Sequence, residues 1–226
     1  MYFIEKNITK LNYNQHTFFL DPKELQEVQS KLKKGTYQIY YPYPDSEKNI
    51  MYKTELPKVL LYEIKTKIPL RHQDIMGTLF SLNIAKELFG DIIIHQNHYY
   101  IYILPIIRNY FESNFLIIKN HPIELEEIPL ESLDDYQRNY ESIELIVSST
   151  RIDTVVSTLC HTNRNKIKEM INKKEIFYNY DYLKEPSIKL KEMDTFSIKK
   201  IGKFKYKGIL KSTKGNHLII EILKYI

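Results

Sequence analysis

The side chains best suited to chemistry in this chain are basic and amide groups in its last third. Arg151 stands two residues before Asp153, and a second group runs from Asn163 to Lys168 as Asn-Arg-Asn-Lys-Ile-Lys. Guanidinium and ammonium groups bind phosphate through charge-assisted hydrogen bonds. The composition therefore indicates binding to a polyanion rather than acid–base catalysis.

Whether these groups act together depends on the element that carries them. Ile167 and Met170 recur at helical spacing and must face a core, which predicts a helix starting near Asn163. Arg164 and Lys168 are then one turn apart on the exposed side. Backbone N–H groups at a helix start are unpaired and favour phosphate, so we expect a clamp for a nucleic-acid backbone.

The predicted RNA contacts extend to the far end of this helix and to the strand that follows it. They are Arg151, Asn163, Arg164, Asn165, Lys166, Lys168, Lys173, Lys174 and Asn179. Asp153 is given a structural role, because a carboxylate in the first turn of a helix can cap it or orient Arg151. Taken alone, a helix with Lys and Arg on one side is more often ordinary solvated surface, and that alternative stays open.

The distribution of charge favours the nucleic-acid interpretation. From Thr150 to Ile226 there are 17 Lys+Arg and 8 Asp+Glu, a net charge of +9. The remaining residues hold 16 basic and 20 acidic side chains, a net charge of −4. A lysine-rich composition that came from coding bias would be even along the chain. The asymmetry therefore indicates an anionic partner for the C-terminal third.

Three segments must position these residues, and together they predict an α+β fold. Residues 1–69 form an N-terminal α/β subdomain, in which Asp21 caps a helix that Gly35 ends. Residues 70–142 show the order helix, two strands, helix, strand. That order is typical of a ferredoxin-like (RNA-recognition-motif-like) domain.

The last segment, residues 143–226, begins with two short helices and continues as strands, with a hairpin turn at Lys214-Gly215-Asn216. It resembles the S-four (αL-motif) RNA-binding domain. The residues that carry the resemblance are Arg151-Ile152-Asp153, Arg164, Lys166, Met170-Ile171, Ile176, Asn179 and the tail from Leu190 to Ile198. Lys174 and Met193 stand where that domain has glycines. The resemblance implies an αL RNA-binding domain with a β-rich tail.

The upstream sequence resembles the YlmH family. The matching stretches are Phe19-Leu20-Asp21-Pro22, Arg71-His72-Gln73-Asp74-Ile75-Met76-Gly77 and Gly90-Asp91-Ile92, with Lys119-Asn120-His121 where the family has a Gly-Arg pair. The family is similar to the ribosome quality-control factor RqcP. The resemblance implies a non-catalytic protein that binds ribosomal RNA and tRNA on a bacterial large ribosomal subunit still carrying peptidyl-tRNA. It would support alanine tailing of the stalled chain, with RqcH as a partner.

Two other functions stay open at this point. αL domains also serve as substrate handles for RNA-modifying enzymes, and the negative N-terminal part would suit a protein partner in cell division. Against an enzyme, the six glycines are scattered and form no phosphate-binding or methyl-donor loop. His72 and Asp74 invite an acid–base interpretation. Neighbours on a helix do not face each other, which favours a capping role for Asp74.

Aromatic residues of the central segment allow two interpretations, an RNA-stacking surface and core packing. Tyr99, Tyr100 and Tyr102 lie along a predicted strand, where they could stack with bases. We favour core packing for them, since no basic or glycine-rich ribonucleoprotein motif accompanies them. His95 and His98 flank a predicted turn without a third ligand, which argues against a metal site.

The remaining features exclude other classes of protein. The longest apolar stretches, such as Tyr99 to Ile107, are far shorter than the ~20 residues that a membrane-spanning helix needs. The N-terminus lacks the apolar run of a signal peptide. One cysteine, Cys160, forms neither an internal disulfide nor a zinc site. We therefore expect a cytoplasmic protein with no cofactor, no metal, no small-molecule substrate and no membrane partner.

Overall fold

The computed structural model describes residues 2–213 and 215–226 and divides the chain into two units, Met1–Gln137 and Arg138–Ile226. The helices and strands of the first unit are α1 (Tyr2–Asn14), α2 (Pro22–Ser30), β1 (Gln38–Tyr40), β2 (Ile50–Tyr52), β3 (Leu60–Lys65), α3 (His72–Ser81), β4 (Phe89–His95), β5 (His98–Ile103), α4 (Arg108–Asn114), β6 (Ile117–Ile118), β7 (His121–Pro122) and β8 (Glu124–Ile128). Those of the second are β9 (Tyr140–Val147), α5 (Ile152–Leu159), α6 (Arg164–Asn172), β10 (Ile176–Tyr178), β11 (Asp181–Tyr182), β12 (Thr195–Ile198), β13 (Gly202–Ser212) and β14 (Leu218–Tyr225). The mixture of helices and strands confirms the α+β prediction.

The N-terminal α/β part of the first unit is organised around the start of α2. The Asp21 carboxylate accepts the backbone N–H of Glu24 at 2.9 Å, and Glu24 accepts the N–H of Asp21 at 3.0 Å, with Pro22 at the first helical position. This reciprocal capping box begins the helix as predicted. The prediction that the helix continues to Gly35 is wrong. It ends at Ser30, and the backbone N–H of Lys31 closes the last turn.

The central part has the ferredoxin-like arrangement. Strands β3, β4, β5 and β8 form one antiparallel sheet in the order β4-β5-β3-β8, with α3 and α4 as the two connecting helices. Alternate residues of β3 point to opposite faces. Tyr62 and Ile64 pack with Ile75 of α3 and Phe111 of α4, whereas Leu61 faces the other way.

The second face of the central sheet is covered as well. Leu61, Ile93 and Tyr102 form a cluster with Phe19, Tyr43 and Leu133, which lie before and after the sheet in sequence. Gly90 shows how close this packing is. A Cβ atom there would lie 2.9 Å from side-chain atoms of Phe19 and of Tyr102. The sheet therefore lies between two apolar layers.

The second unit is a six-stranded antiparallel sheet with two helices on one face. Its strand order is β11-β10-β12-β13-β14-β9. Apolar residues of α5 and α6, among them Val155 and Ile167, share a core with the inward residues of the sheet, such as Phe204 and Ile222. In the turn between β13 and β14, the N–H of Thr213 donates to the carbonyl of His217 at 2.7 Å. Lys214 of the predicted turn lies outside the described residues.

The division into segments 1–69, 70–142 and 143–226 stays a prediction. Strand β3 precedes residue 70, yet it pairs with β5 and β8, which follow that residue. Strand β9 begins at Tyr140 and pairs with β14 of the second unit. Within the described residues, no helix is both long and apolar enough to cross a bilayer.

Candidate nucleic-acid interface

The start of α6 carries most of the predicted contacts. Asn163 caps the helix, since its side-chain oxygen accepts the backbone N–H of Lys166 at 2.9 Å. Ile167 is fully buried on the inner side, while Arg164 and Lys168 are exposed one turn apart. The alternation of an apolar and a basic face thus places two cations side by side near the N-terminal end of the helix, which carries partial positive charge.

Arg151 is held by a carboxylate at the start of α5. Its Nε donates to Oδ1 of Asp153 at 3.1 Å, and its terminal nitrogen donates to Oδ2 at 2.8 Å. Two parallel bonds of this kind fix the plane of the guanidinium. The Arg151 side chain is 38% exposed, whereas that of Asp153 is only 9% exposed. Asp153 therefore orients a cation whose outer edge stays accessible.

Arg164 joins the two helix starts. Its terminal nitrogen donates to the hydroxyl of Thr154 at 3.3 Å, and the backbone N–H of Thr154 donates to Asp153 at 2.8 Å. One carboxylate thus lies close to two guanidinium groups, Arg151 and Arg164. The cluster keeps a net positive charge and has hydrogen-bond donors left for an anion.

The electrostatics of the cluster keep Asp153 ionised. Burial alone would raise the pKa of Asp153. The hydrogen bonds and charge of Arg151, the N–H of Thr154 and the charge of Arg164 outweigh burial, and the net pKa lies below its ordinary value. A permanently charged Asp153 holds Arg151 in one orientation across the neutral pH range.

The other basic residues of α6 are arranged differently. Lys166 is exposed and donates to Glu169 at 3.0 Å, so part of its charge is neutralised within the helix. Asn165 is exposed beside it. Lys173 and Lys174 follow the last turn of α6, and the ~1.5 Å rise per helical residue puts them roughly 14 Å from Arg164. They do not belong to the Arg151–Arg164 cluster.

Asn179 takes part in a structural contact. Its side-chain nitrogen donates to Asp194 at 2.8 Å, and its side-chain oxygen accepts the backbone N–H of Thr195 at 2.8 Å. Tyr178 donates to the same Asp194 at 2.7 Å. These bonds tie the end of β10 to the start of β12. An RNA contact from Asn179 stays a prediction, and what the geometry shows is a hydrogen-bonded link between two strands.

The two positions that lack the expected glycines keep a glycine-like backbone. Lys174 has φ 55° and Met193 has φ 71°, both in the left-handed region. The turns after α6 and before β12 therefore have the conformation that glycine takes without strain, although neither residue is glycine. Lys174 extends its ammonium to within 5.3 Å of the Tyr182 ring centroid.

The RNA contacts predicted from the sequence did not include a second set of basic residues, Lys203 and Lys205 of β13. They alternate with the buried Phe204 and Tyr206, so they lie on the face of the sheet opposite α5 and α6. The pattern Lys-Phe-Lys-Tyr at residues 203–206 is the signal that predicts this placement. Every second residue of this stretch is a lysine, and the residues between them are buried.

The residues of the central part that were considered as candidate sites cap a helix or pack in the core. Asp74 accepts the backbone N–H of Arg71 at 2.9 Å at the start of α3, and Lys119 lies 3.6 Å from the same carboxylate. Tyr99 is 4% exposed and Tyr102 is fully buried, so both pack in the core. Among the described residues, no group of three or more His, Cys, Asp or Glu could hold a metal ion.

Comparison with known proteins found a family model that matches the central part of the chain. Residues 53–132 match the family model described as the putative RNA-binding domain in YlmH. The match covers 80 of the 226 residues and concerns the central part of the chain alone. The matched range contains the whole ferredoxin-like sheet from β3 to β8 and ends before Arg151. The similarity to the RNA-binding domain described for YlmH therefore lies in the first unit, whereas the basic cluster lies in the second.

Individual relatives are more distant. The chain is 22% identical over 143 residues to the ribosome-associated protein quality control protein P2 of Bacillus subtilis (strain 168), a match that covers 63% of this chain and 56% of the relative. The chain therefore spans about half the length of the curated relative it matches. The solved structure of the cell division protein YlmH from Streptococcus pneumoniae matches with a TM-score of 0.48 and 19% identity, over 58% of this chain and 90% of that one.

Proposed function

We propose that this protein is a non-catalytic RNA-binding factor that acts on the bacterial ribosome. It binds ribosomal RNA and tRNA on a large subunit that still carries peptidyl-tRNA, and it supports alanine tailing of stalled chains together with RqcH. The YlmH-type domain and the weak homology to a ribosome-associated quality control protein support the general class. Under this proposal the protein works in the cytoplasm, without a cofactor or a metal.

The observation that carries the proposal is the cluster of Arg151, Asp153 and Arg164. A preoriented guanidinium beside a second one suits adjacent phosphates of a folded RNA backbone. The exposed Lys168 extends the cluster along α6 by one turn. Because such contacts read the backbone rather than base edges, they suit structured RNA of fixed shape, such as a tRNA or a ribosomal helix.

The test is removal of charge at the start of α6. We expect Arg164→Ala with Lys168→Ala to weaken binding to large subunits about tenfold or more and to lower the salt slope by roughly two. Co-sedimentation with purified large subunits at several salt concentrations measures both quantities. The matched control is Lys33→Ala with Lys34→Ala, which removes the same charge from exposed positions of the first unit. Equal effects of the two double variants would refute the assignment of the site.

A second experiment tests the absence of catalysis. We expect transcribed ribosomal RNA to show unchanged nucleosides by mass spectrometry after incubation with the protein and common group donors. A new modified nucleoside would instead establish an RNA-modifying enzyme, with the basic cluster as its substrate handle. Pull-down before and after ribonuclease treatment separates a ribosomal role from a direct protein partner in cell division, since only RNA-bridged association is lost.

A further inference from the structure

A row of aromatic and basic side chains crosses the C-terminal sheet on the face opposite α5 and α6, which we call the outer face. Directly paired residues of neighbouring strands point to the same face. The strand register links them as Tyr182 to Phe177, Phe177 to Ser197, Ser197 to Lys203, and Tyr225 to Tyr140. Phe204 pairs with Lys224 on the neighbouring antiparallel strand, so the adjacent residues Lys203 and Tyr225 lie opposite each other. We call these six residues, together with Lys205 and Tyr180 that contact them, the outer row.

Cations and rings of the outer row are in direct contact. The Lys203 ammonium lies 4.6 Å from the Tyr180 ring centroid and 4.8 Å from that of Tyr225. The Lys205 ammonium lies 5.1 Å from the Tyr140 centroid and 5.8 Å from the Tyr225 centroid. These distances fall within the range of cation–π attraction, so the rings hold the two ammonium groups beside them.

The rings also contact one another. Phe177 and Tyr182 have centroids 4.7 Å apart, and those of Tyr140 and Tyr225 are 5.1 Å apart. Tyr182 is 48% exposed, and Lys174 approaches its ring from the end of α6. The outer row thus presents two aromatic pairs with lysines between them and beside them. With strands ~4.8 Å apart, the row extends over roughly 24 Å.

The charge on the rest of the outer face limits what can bind. Glu221 of β14 pairs with Glu144 of β9 farther along the same face, and Ser142 donates to Glu221 at 2.8 Å. These carboxylates repel a polyanion there. An anionic chain is therefore directed along the outer row rather than over the whole sheet.

We propose that the outer row binds unpaired RNA, with bases stacked on its aromatic rings and phosphates bound by Lys203 and Lys205. Alternating aromatic and basic side chains are the combination that single-stranded nucleic acid requires, because every base has a ring face and every nucleotide a charge. A duplex hides its base faces and gains little from the rings. The surface lies on the opposite side of the sheet from Arg164 and acts separately from the helix cluster.

The test uses the full chain and two fluorescent RNAs, a 12-nucleotide oligo-uridine and a 12-base-pair duplex, followed by anisotropy. We expect Lys203→Gln with Lys205→Gln to weaken oligo-uridine binding about tenfold and to change duplex binding less than about twofold. The matched control is Lys207→Gln with Lys211→Gln, two exposed lysines of the same strand, which should change oligo-uridine binding less than about twofold. Arg164→Ala with Lys168→Ala should weaken duplex binding and leave most of the oligo-uridine affinity.

Stacking is tested separately from charge at Tyr182, which is exposed enough to replace without unfolding. We expect Tyr182→Leu to weaken oligo-uridine binding about fivefold or more and Tyr182→Phe to restore it. Thermal unfolding of each variant shows whether the fold is kept. Equal loss in the two lysine pairs, no loss in Tyr182→Leu, or equal binding of poly-glutamate each overturns the proposal. The large-subunit assay is independent, so failure of the helix site and failure of the outer row are distinguishable.

Discussion

The two large sheets of this chain both carry tyrosines, but their surroundings differ. In the central sheet, Tyr102 is fully buried and stacks on Tyr43 with centroids 6.0 Å apart. In the C-terminal sheet, Tyr182 lies on the face opposite the helices and is about half exposed. The central sheet has an apolar layer on each face, whereas the helices α5 and α6 cover one face of the C-terminal sheet. Aromatic residues in a strand therefore predict a stacking surface only when nothing in the fold covers them.

The comparison is tested most strongly by truncating one tyrosine in each sheet. We expect Tyr102→Ala to lower the free energy of unfolding by about 4 kcal/mol, because it leaves a large cavity between two apolar layers. Tyr182→Ala should cost about 1 kcal/mol or less, since the ring is partly in solvent already. Urea unfolding followed by circular dichroism measures both. Tyr102→Phe is the control and should lose little, and similar losses in the two Ala variants would contradict the comparison.

The next effect concerns the carboxylate that organises the helix side of the C-terminal sheet. We expect Asp153→Asn to lower the free energy of unfolding at pH 7 by about 2 kcal/mol, because the charged bonds to Arg151 are lost. The pKa of Asp153 is lowered in the folded state, so its contribution is present above the unfolded value near ~3.9 and is lost as the pH falls through the folded value. Urea titrations between pH 7 and pH 3 should show the two proteins converging in acid.

A control for the acid experiment is available in the same unit. Glu144 is exposed on β9, and Glu144→Gln should leave the unfolding free energy nearly unchanged at pH 7. If Asp153→Asn and Glu144→Gln behaved alike, Asp153 would not be the residue that positions Arg151. An unchanged affinity for large subunits in Asp153→Asn would likewise show that the orientation of Arg151 is irrelevant to binding.

The smallest expected effect lies in the turn before β12. Met193 has a left-handed backbone and a side chain that is 61% exposed, so its replacement removes strain and little packing. We expect Met193→Gly to raise the free energy of unfolding by about 0.5 kcal/mol, the balance of relieved strain against a more flexible unfolded chain. Met193→Ala keeps the Cβ atom and should bring no gain. Thermal unfolding of the two variants distinguishes them.

Local signals in the sequence predicted much of this fold. Asp21 and Pro22 predicted the start of α2, and the order of elements predicted the ferredoxin-like sheet. Strand β9 was not predicted, although Ile143, Leu145 and Val147 alternate within it. Its partner β14 is distant in sequence, and pairing between distant strands leaves no local pattern.

In the candidate site as well, features set by local spacing were predicted and contacts between distant residues were not. The shared exposed side of Arg164 and Lys168 follows from helical spacing alone. The contact between Asn179 and Asp194 joins residues 15 apart and depends on how two strands meet, so spacing in the sequence does not predict it. The alternation of apolar and basic residues in β13 predicts that Lys203 and Lys205 point outward. The tyrosine rings beside these lysines come from three other parts of the chain, so the sequence of β13 does not predict them.

The position of β9 affects how the second unit can form during protein synthesis. Tyr140 pairs with Tyr225, so β9 cannot join its sheet until β14 has left the ribosome. Until then, α5 and α6 lack Ile220 and Ile222 in their shared core, and β9 is an unpaired strand. A nascent copy that stalls before β14 would present the basic helices without a complete core. The ordered cluster of Arg151, Asp153 and Arg164 would therefore form late in synthesis, when nearly all of residues 138–226 have been made.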